Sequence, residues 1–340
     1  MRILPLLLAA PFLSGAAIAQ TSDLFFNDRQ LTMLIGGGSG GSVDLYARVI
    51  ARHVVNHMPG KPTIIPRNLP SAGGVQAFMT LGTTAPRDGS TFAISARGPL
   101  TDPILSEKPA TYDPRKFIWI ASINEDSSIC YTGATSKVRS LQDALKAEAT
   151  MASTGALAES SKFPLAVNAL TGAKLKVITG YKGAADTKLA VARGEVDGQC
   201  TTFGSLLAVE PDAFSAGRYH WLIQIGEKSN PIVKDVPLIT QFVKNESDRQ
   251  ILNFILKPLA ITTSFALPPD VPTERVGVWR YAFKQVLNDA DFLQDAKNVG
   301  LIPSFRSGEE VQSLVEDLYS IAPDAIIRAR SIYGYGESGR

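Results

Sequence analysis

The chain has 340 residues, of which 45% are hydrophobic and 19% are charged. This length and apolar content exclude a single small module and a disordered tail, and they predict two compact domains. The 34 Lys and Arg residues nearly balance the 32 Asp and Glu residues, so the formal net charge is only +2. Without a basic excess to neutralise phosphates, the composition argues against a nucleic-acid-binding protein.

The N-terminal segment 1–19 has the pattern of an export signal. Arg2 supplies a positive charge, residues 3–13 are largely apolar, and residues 17–19 form a small-x-small cleavage site. We therefore predict cleavage after Ala19 and a mature protein in the periplasm. The apolar stretch is too short and too interrupted by proline for a membrane-spanning helix, which needs about 20 residues. An extracytoplasmic location also argues against ATP-dependent or nicotinamide-dependent chemistry, so we predict no cofactor.

Metal and disulfide chemistry are limited by two cysteines and three histidines. These are too few for a disulfide scaffold or a zinc site. His53 and His57 have the i,i+4 spacing of an HExxH site, but Val54 replaces the glutamate, so we predict no metal. In an oxidising compartment Cys130 and Cys200 can form one bridge, and a closed loop of about 70 residues would contribute roughly 4 kcal/mol. Two buried free thiols are the alternative.

The first part of the mature chain alternates strand-like runs with loops of small residues. An apolar run at 31–35 ends in a glycine loop at 36–42, and apolar residues recur at helical spacing from Val43 onward. Strand-like runs at 62–66 and 91–94 also end in small or polar loops. This alternation predicts an open parallel α/β sheet whose ligand crevice lies at the carboxyl ends of its strands.

After an apolar run at 117–123 the alternation begins again, which predicts a second α/β domain. Its strand-like runs are 129–132, 151–154, 175–179 and 221–225. A last strand-like passage is predicted at 256–266, and two prolines follow it. Two amphipathic helices then close the chain, the second of which opens with the capping-box pair Ser307 and Glu310.

Motifs that could support catalysis are weak. A serine hydrolase needs a GxSxG elbow, and the glycine loop lacks that spacing. Glu195 and Asp197 would share one face of a strand, as glycosidase carboxylates can, which makes them the candidate bases of an exported hydrolase. The glycine loop matches a dinucleotide fingerprint only loosely. Its backbone N–H groups at a helix start would attract a carboxylate as well as a phosphate. The alternative is a tight turn that lets a strand and a helix pack closely.

Four short motifs follow one another along the chain. They are Gly41-Ser42-Val43-Asp44 with Ala47-Arg48, Arg67-Asn68-Leu69-Pro70-Ser71-Ala72-Gly73-Gly74, Gly180-Tyr181-Lys182-Gly183, and Gly194-Glu195-Val196-Asp197-Gly198. A Pro-Asp-Val-Pro segment at 269–272 and the two closing helices complete the pattern. Behind an export signal, these motifs resemble the extracytoplasmic solute receptors of the tripartite tricarboxylate transporters, called Bug or TctC proteins. The resemblance covers essentially the whole mature chain.

The resemblance implies an α/β chain with the type 2 periplasmic-binding-protein fold, in which two α/β domains enclose a ligand cleft. It implies a discontinuous domain I, 21–121 plus 253–340, and a domain II at 122–252. The implied function is that of a monomeric receptor rather than an enzyme. Such a receptor captures a small carboxylate by hinge closure and delivers it to the membrane permease subunits of a tripartite transporter. A sensory receptor for a two-component kinase is one alternative, and an exported hydrolase is the other.

The resemblance also implies where the ligand lies, between loops of domain I and a helix start in domain II. Arg97 adds a guanidinium that can bind a carboxylate through two parallel hydrogen bonds. An ion pair of Arg97 with Asp102 is the alternative. Asp197 could instead belong to a turn, and we expect Lys182 to point to water. The candidate ligand-binding residues are Gly38, Ser39, Gly40, Gly41, Ser42, Asp44, Gly73, Gly74, Ser95, Arg97, Ser153, Thr154, Gly155, Ser160, Ser161, Tyr181 and Asp197.

Overall fold

The computed structural model describes residues 24–70, 74–95, 97–106, 111–156 and 158–335. The predicted signal segment 1–19 lies outside the described residues. The strands, in chain order, are β1 (Gln30–Ile35), β2 (Thr63–Asn68), β3 (Thr91–Ser95), β4 (Ile118–Ser122), β5 (Ser128–Gly133), β6 (Ala149–Ser153), β7 (Leu175–Thr179), β8 (Gly198–Thr202), β9 (Tyr219–Ile225), β10 (Ser264–Leu267) and β11 (Arg306–Ser307).

The α-helices surround these strands. They are α1 (Ser42–Val54), α2 (Val75–Thr83), α3 (Gly98–Leu105), α4 (Leu141–Lys146), α5 (Glu159–Thr171), α6 (Ala184–Ala192), α7 (Phe203–Val209), α8 (Glu246–Ala260), α9 (Thr273–Val286), α10 (Ala290–Asn298), α11 (Gly308–Tyr319) and α12 (Pro323–Tyr333). Short 3-10 helices occupy Val55–His57, Pro114–Lys116, Pro231–Val233 and Ile239–Phe242. Within the described part of the chain, none of the helices has both the length and the apolar character that crossing a membrane requires.

The strands form two sheets. The order in the first sheet is β11-β4-β10-β3-β1-β2, and the order in the second is β7-β6-β8-β5-β9. We call the first sheet with α1–α3 and α9–α12 the first lobe, and the second sheet with α4–α7 the second lobe. The predicted α/β class is confirmed, because each lobe alternates strands with helices.

The predicted parallel arrangement holds for β1, β2 and β3, whereas the first sheet as a whole is mixed. β1 is parallel to β2 and β3, but β10 runs antiparallel to both β3 and β4. The chain returns from the second lobe before it forms β10, and it therefore enters the first sheet in the opposite direction. The second sheet is also mixed, since β6 is parallel to β7 and β8 while β5 is antiparallel to β8 and β9.

The strand predicted at 256–266 is only partly correct. Its first half, through Ala260, is the last turn of α8, and only Ser264–Leu267 is a strand. A short apolar run cannot distinguish a buried helix end from a buried strand, because neither has a polar face. The capping box at the start of α11 is confirmed. The Ser307 hydroxyl accepts from the Glu310 N–H, and Glu310 accepts from the Ser307 N–H at 2.7 Å.

The first sheet is packed between two layers of apolar side chains. On one side Trp279 of α9 packs on Phe92 of β3, with ring centroids 4.4 Å apart. On the other side Phe78 of α2 stacks on Trp119 of β4 at 6.0 Å. Successive side chains of a strand point to opposite faces, so Phe92 and its neighbour Ala93 contribute to different layers. With both faces covered, the sheet is a rigid base for the loops at its edge.

A disulfide joins the centres of two strands in the second sheet. Cys130 of β5 lies opposite Cys200 of β8 in the antiparallel register, and the two Cα atoms are 4.0 Å apart. The alternative of two free thiols does not apply to this structure. The bridge connects residues that are separated by 70 positions in the chain, entirely within the second lobe.

Two short crossing segments connect the lobes and lie side by side. The Ile123 N–H donates to the Thr263 carbonyl at 3.0 Å, and the Asp126 N–H donates to the Leu259 carbonyl at 3.1 Å. The predicted domain boundary at 252/253 lies within α8 and stays a prediction.

Candidate functional site

The glycine loop after β1 is held against the loop that precedes α2. A Cβ atom on Gly36 would lie 2.7 Å from the Gly74 Cα atom, which is too close for any side chain. Gly74 also has a φ of +97°, a left-handed conformation that favours glycine. Two backbones therefore meet without side chains between them. Gly38, Gly40 and Gly41 lie at the exposed tip of this loop.

Hydrogen bonds of the Asp44 side chain hold the glycine loop in place. Its buried carboxylate accepts hydrogen bonds from the Gly40 N–H at 2.9 Å, from the Asn68 Nδ2 at 2.9 Å and from the Arg48 Nε at 3.0 Å. Asn68 also donates to the Gly37 carbonyl at 2.8 Å, which joins the loop to the end of β2. Burial acts to raise the pKa of Asp44, but the hydrogen bonds from Arg48, Gly40 and Asn68 outweigh burial and lower the pKa.

Asp44, which the sequence analysis names as a ligand contact, holds the glycine loop in this structure. The side chain is 2% exposed, and its oxygens already accept from three groups of the protein. A carboxylate used in this way holds a loop in place and has little capacity left for a solute. Asp44 is a positioning residue.

Serine hydroxyls converge at the carboxyl end of β6, where α5 begins. The Ser153 Oγ lies 2.8 Å from the Ser160 Oγ and 2.7 Å from the Ser161 Oγ. The Ser161 hydroxyl also donates to the Gly155 carbonyl at 2.8 Å, and the Thr154 N–H donates to the Ser160 Oγ at 3.2 Å. The structure thus brings five of the candidate residues together. We call this group, Ser153, Thr154, Gly155, Ser160 and Ser161, the serine cluster.

The serine cluster has a buried base and a more open rim. Ser153 and Ser161 are buried, Ser160 is half-buried, and Thr154 is exposed. Tyr181 joins the same region, because its N–H donates to the Ser153 carbonyl at 3.3 Å. Thr154 and Ser160 are therefore the members of the serine cluster that a solute can reach most easily.

Asp197 lies at the other end of the second sheet. It precedes β8, which is parallel to β6, so it lies beside the start of β6 rather than the end. Its carboxylate accepts from the Ser136 hydroxyl at 2.8 Å and from the Thr150 N–H at 2.9 Å. Burial acts to raise the pKa of Asp197, but the bonds from Thr150 and Ser136 lower it. Asp197, also named as a ligand contact, therefore lies at the opposite end of β6 from Ser153.

Arg97 faces the second lobe, as predicted, but a protein carboxylate holds its guanidinium. Its Nε and Nη2 both bind the carboxylate of Glu159, the first residue of α5. A third group, Nη1, donates to the Thr262 Oγ1 at 3.2 Å in the returning crossing segment. The alternative pairing with Asp102 is wrong, because Asp102 instead pairs with Lys162 of α5 at 3.5 Å.

Asp126 is a cleft residue that the sequence did not identify. It lies in the outgoing crossing segment, and its carboxylate accepts from the Ser127 N–H at 2.8 Å and the Gly204 N–H at 3.4 Å. Burial raises the pKa of Asp126, while the charge of Arg97 opposes that rise. Burial and the nearby charge of Asp126 raise the pKa of Tyr46 to about 12. Asp126 also lines a cavity of 330 Å³ beside the two crossing segments.

The remaining candidates have the following positions. Ser39 lies at the exposed tip of the glycine loop, Ser42 begins α1 and Ser95 ends β3, while Gly73 lies outside the described residues. Lys182 is exposed, as expected. Among the described residues, no group of three His, Cys, Asp or Glu side chains could hold a metal ion.

Glu159 and Asp126 had weak signals in the sequence. An acidic residue in the first turn of a helix is common, because it complements the helix dipole, so Glu159 did not stand out. Asp126 follows a run of apolar residues at the predicted crossing between the domains. A charge in that position was the one available indication of a cleft residue.

The architecture, two mixed α/β sheets joined by paired crossing segments, is that of a periplasmic binding protein. A TctC solute binding protein from Polaromonas superimposes with a TM-score of 0.67 at 19% identity, over 90% of this chain and 98% of that one. The periplasmic binding protein BugD gives 0.66 at 18% identity, also over 90% and 98%. An R. palustris protein solved with adipate gives 0.65 at 20% identity, over 90% and 96%. The predicted type 2 periplasmic-binding-protein fold is confirmed.

The sequence comparisons agree with the structural ones. No family model matches the chain. A UPF0065 protein of Bordetella bronchiseptica is 24% identical over 257 residues, which is 74% of each chain. Together with the structural neighbours, this relative confirms the predicted resemblance to the TctC and Bug solute receptors.

Proposed function

We propose that the protein is an extracytoplasmic receptor that binds a small carboxylate between its two lobes. The observation that carries this proposal is the serine cluster at the start of α5, opposite Arg97 of the first lobe. The cluster offers hydroxyl donors at the positive end of a helix dipole, which is a favourable setting for an anion. The adipate in the R. palustris neighbour makes a carboxylate the natural class of solute to test.

The energetics of such a site fit reversible capture. A hydrogen bond to a charged group contributes about 1.5–3 kcal/mol, so a few hydroxyl and N–H donors suffice for useful affinity. Thr154 and Ser160 are the donors placed at the open rim. The glycine loop supplies a second wall, and because its tip lacks side chains a ligand can approach its backbone N–H groups closely.

The proposal includes closure of the two lobes on the ligand. A ligand that contacts both lobes binds the closed form better than the open form, and it therefore shifts the population toward closure. The paired crossing segments at 123–127 and 259–263 are the proposed hinge, with the lobes as proposed domains I and II. Small-angle scattering should show a smaller radius of gyration with ligand, and an unchanged radius at saturation would contradict the proposed closure.

The wider role is proposed by analogy with the TctC and Bug solute receptors. We propose that the receptor acts in the periplasm after cleavage of segment 1–19, as a monomer, and delivers its solute to tripartite permease subunits. A hydrolase has less support, because its two candidate bases are not together in a cleft. Glu195 forms an exposed ion pair with Arg193 at 3.7 Å, and Asp197 is bonded within the protein.

Binding is tested by calorimetry with a panel of small carboxylates, including adipate. Ser160→Ala and Thr154→Ala should each weaken a bound carboxylate by about tenfold to a hundredfold. Ser215→Ala is the matched control, because this serine of the second lobe is exposed and its hydroxyl donates to the nearby Asp212 carbonyl. Conversion of a carboxylate to product would contradict the receptor. Unchanged affinity in both variants would remove the serine cluster from the site.

A further inference from the structure

We propose that the ion pair of Arg97 with Glu159 makes the cleft select a solute with an amino group beside its carboxylate over a dicarboxylate. The inference rests on the proposed function, because it names the solute class for the same site. The amino group would bind Glu159, and the carboxylate would bind Arg97 and the rim of the serine cluster.

Arg97 is already neutralised in this structure. Two of its nitrogens bind the Glu159 carboxylate, and a third binds the Thr262 hydroxyl. The side chains are largely removed from solvent, with 18% of Arg97 and 28% of Glu159 exposed. A solute carboxylate can therefore reach the guanidinium fork only by displacing Glu159 or by sharing Arg97 with it.

Either arrangement places two negative charges near one guanidinium. Like charges in a partly desolvated site repel each other strongly, because little water remains to screen them. The adjoining cation of α5, Lys162, does not relieve this repulsion, since it pairs with Asp102 of α3. Asp126 adds a further carboxyl group close to Arg97. A second carboxylate on the solute would make the excess of negative charge larger.

An ammonium group on the solute reverses this balance. A zwitterion presents a carboxylate to Arg97 and a cation to Glu159, so one internal ion pair is exchanged for two pairs with the solute. Neither Arg97 nor Glu159 is then left unpaired, so the exchange leaves no uncompensated buried charge. Glu159 lies directly before Ser160, so the groups that would bind the ammonium and the carboxylate are adjacent in the chain.

The test uses three ligands with the same carbon chain. Pentanoate carries one carboxylate alone. On the carbon next to that carboxylate, norvaline carries an ammonium group and propylmalonate carries a second carboxylate. Calorimetry at neutral pH should show norvaline binding at least about tenfold more tightly than propylmalonate. Glu159→Gln should weaken norvaline by about tenfold and strengthen propylmalonate, because it removes the repulsion and the ammonium partner together.

Glu195→Gln is the matched control, since Glu195 is an exposed carboxylate of the same lobe. It should leave all three affinities unchanged, and circular dichroism should show native folding of both variants. If the dicarboxylate binds as well as the amino acid, and Glu159→Gln changes neither, the selectivity proposal is overturned while the carboxylate receptor stands. If no member of this set and no carboxylate of the wider panel binds, the proposed function itself fails.

Discussion

Lys162 of α5 forms an ion pair with Asp102 of α3, with 3.5 Å between Nζ and Oδ1. The pair of Arg97, the residue before α3, and Glu159 of α5 has the charges reversed, since here the cation belongs to the first lobe. Each side of the cleft therefore presents one positive and one negative group to the other. This complementarity favours one alignment of α3 against α5, because a shifted alignment would bring like charges together.

The Lys162 pair should contribute to stability. Removing one partner of a buried pair costs about 3–5 kcal/mol, and the Lys162 side chain is 11% exposed. We expect Lys162→Met to cost about 2–3 kcal/mol, because Asp102 keeps the Tyr335 hydroxyl as a donor at 2.6 Å. Urea unfolding measures the loss. Lys176→Met, which breaks an exposed pair with Glu148, should cost less than about 1 kcal/mol. Equal losses would contradict the assignment.

Asp44 should make stability depend on acid pH. Its folded pKa lies below the ordinary value of 3.8, because its hydrogen bonds outweigh the effect of burial. Its contribution is therefore complete above the unfolded pKa and is lost as the pH falls through the folded pKa. Asp44→Asn should be less stable than the wild type at neutral pH. The difference should shrink below about pH 4 in denaturant titrations at a series of pH values. A constant difference would argue against the charged carboxylate.

Asp197 should affect stability and leave affinity unchanged. It joins the turn before β8 to the start of β6 through bonds from Ser136 and Thr150. Asp197→Asn should cost about 1–3 kcal/mol of unfolding free energy, because a charged acceptor of two hydroxyls and an N–H is lost. Calorimetry of the folded variant should give wild-type affinity for a bound carboxylate. A tenfold loss of affinity would return Asp197 to the binding site.

The disulfide should also be visible in solution. Without reductant, the denatured protein should take up no alkylating reagent, and after reduction it should take up two equivalents, as read by mass spectrometry. Replacing both Cys130 and Cys200 by alanine should lower the free energy of unfolding by up to about 4 kcal/mol, since the bridge closes a loop across 70 positions. Uptake of two equivalents without reductant would show that the bridge does not form.

Local patterns predicted much of the fold. Apolar runs that end in small or polar loops identified β1, β2 and β3, and the capping box identified the start of α11. The direction of β10 was not predictable in this way, because it depends on where the chain returns from the second lobe. The end of α8 was mistaken for a strand, since a fully buried segment has no polar face to reveal its period.

The sequence predicted the residue types of the candidate site better than it predicted their hydrogen-bond partners. The hydroxyl residues at the start of α5 do converge. For Asp44 and Asp197 the sequence shows carboxylates close to glycines, but it does not show whether the oxygens are already bonded within the protein. The alternative partner proposed for Arg97, Asp102, was wrong for a similar reason. Asp102 is near in sequence, whereas Glu159 comes close only when the two lobes meet.

The position of β10 between β3 and β4 bears on the order in which the chain can fold. Among the described strands, β4 bonds only to β10 and β11, so it has no strand partner until residues 264–267 have been made. All the strands of the second sheet, and both cysteines of the bridge, have been made by Ile225. During synthesis from the N-terminus, the sheet that starts later can be completed earlier. A nascent chain paused after Ile225 contains every described strand of the second sheet. The first sheet at that point still lacks β10, the strand that joins its two parts.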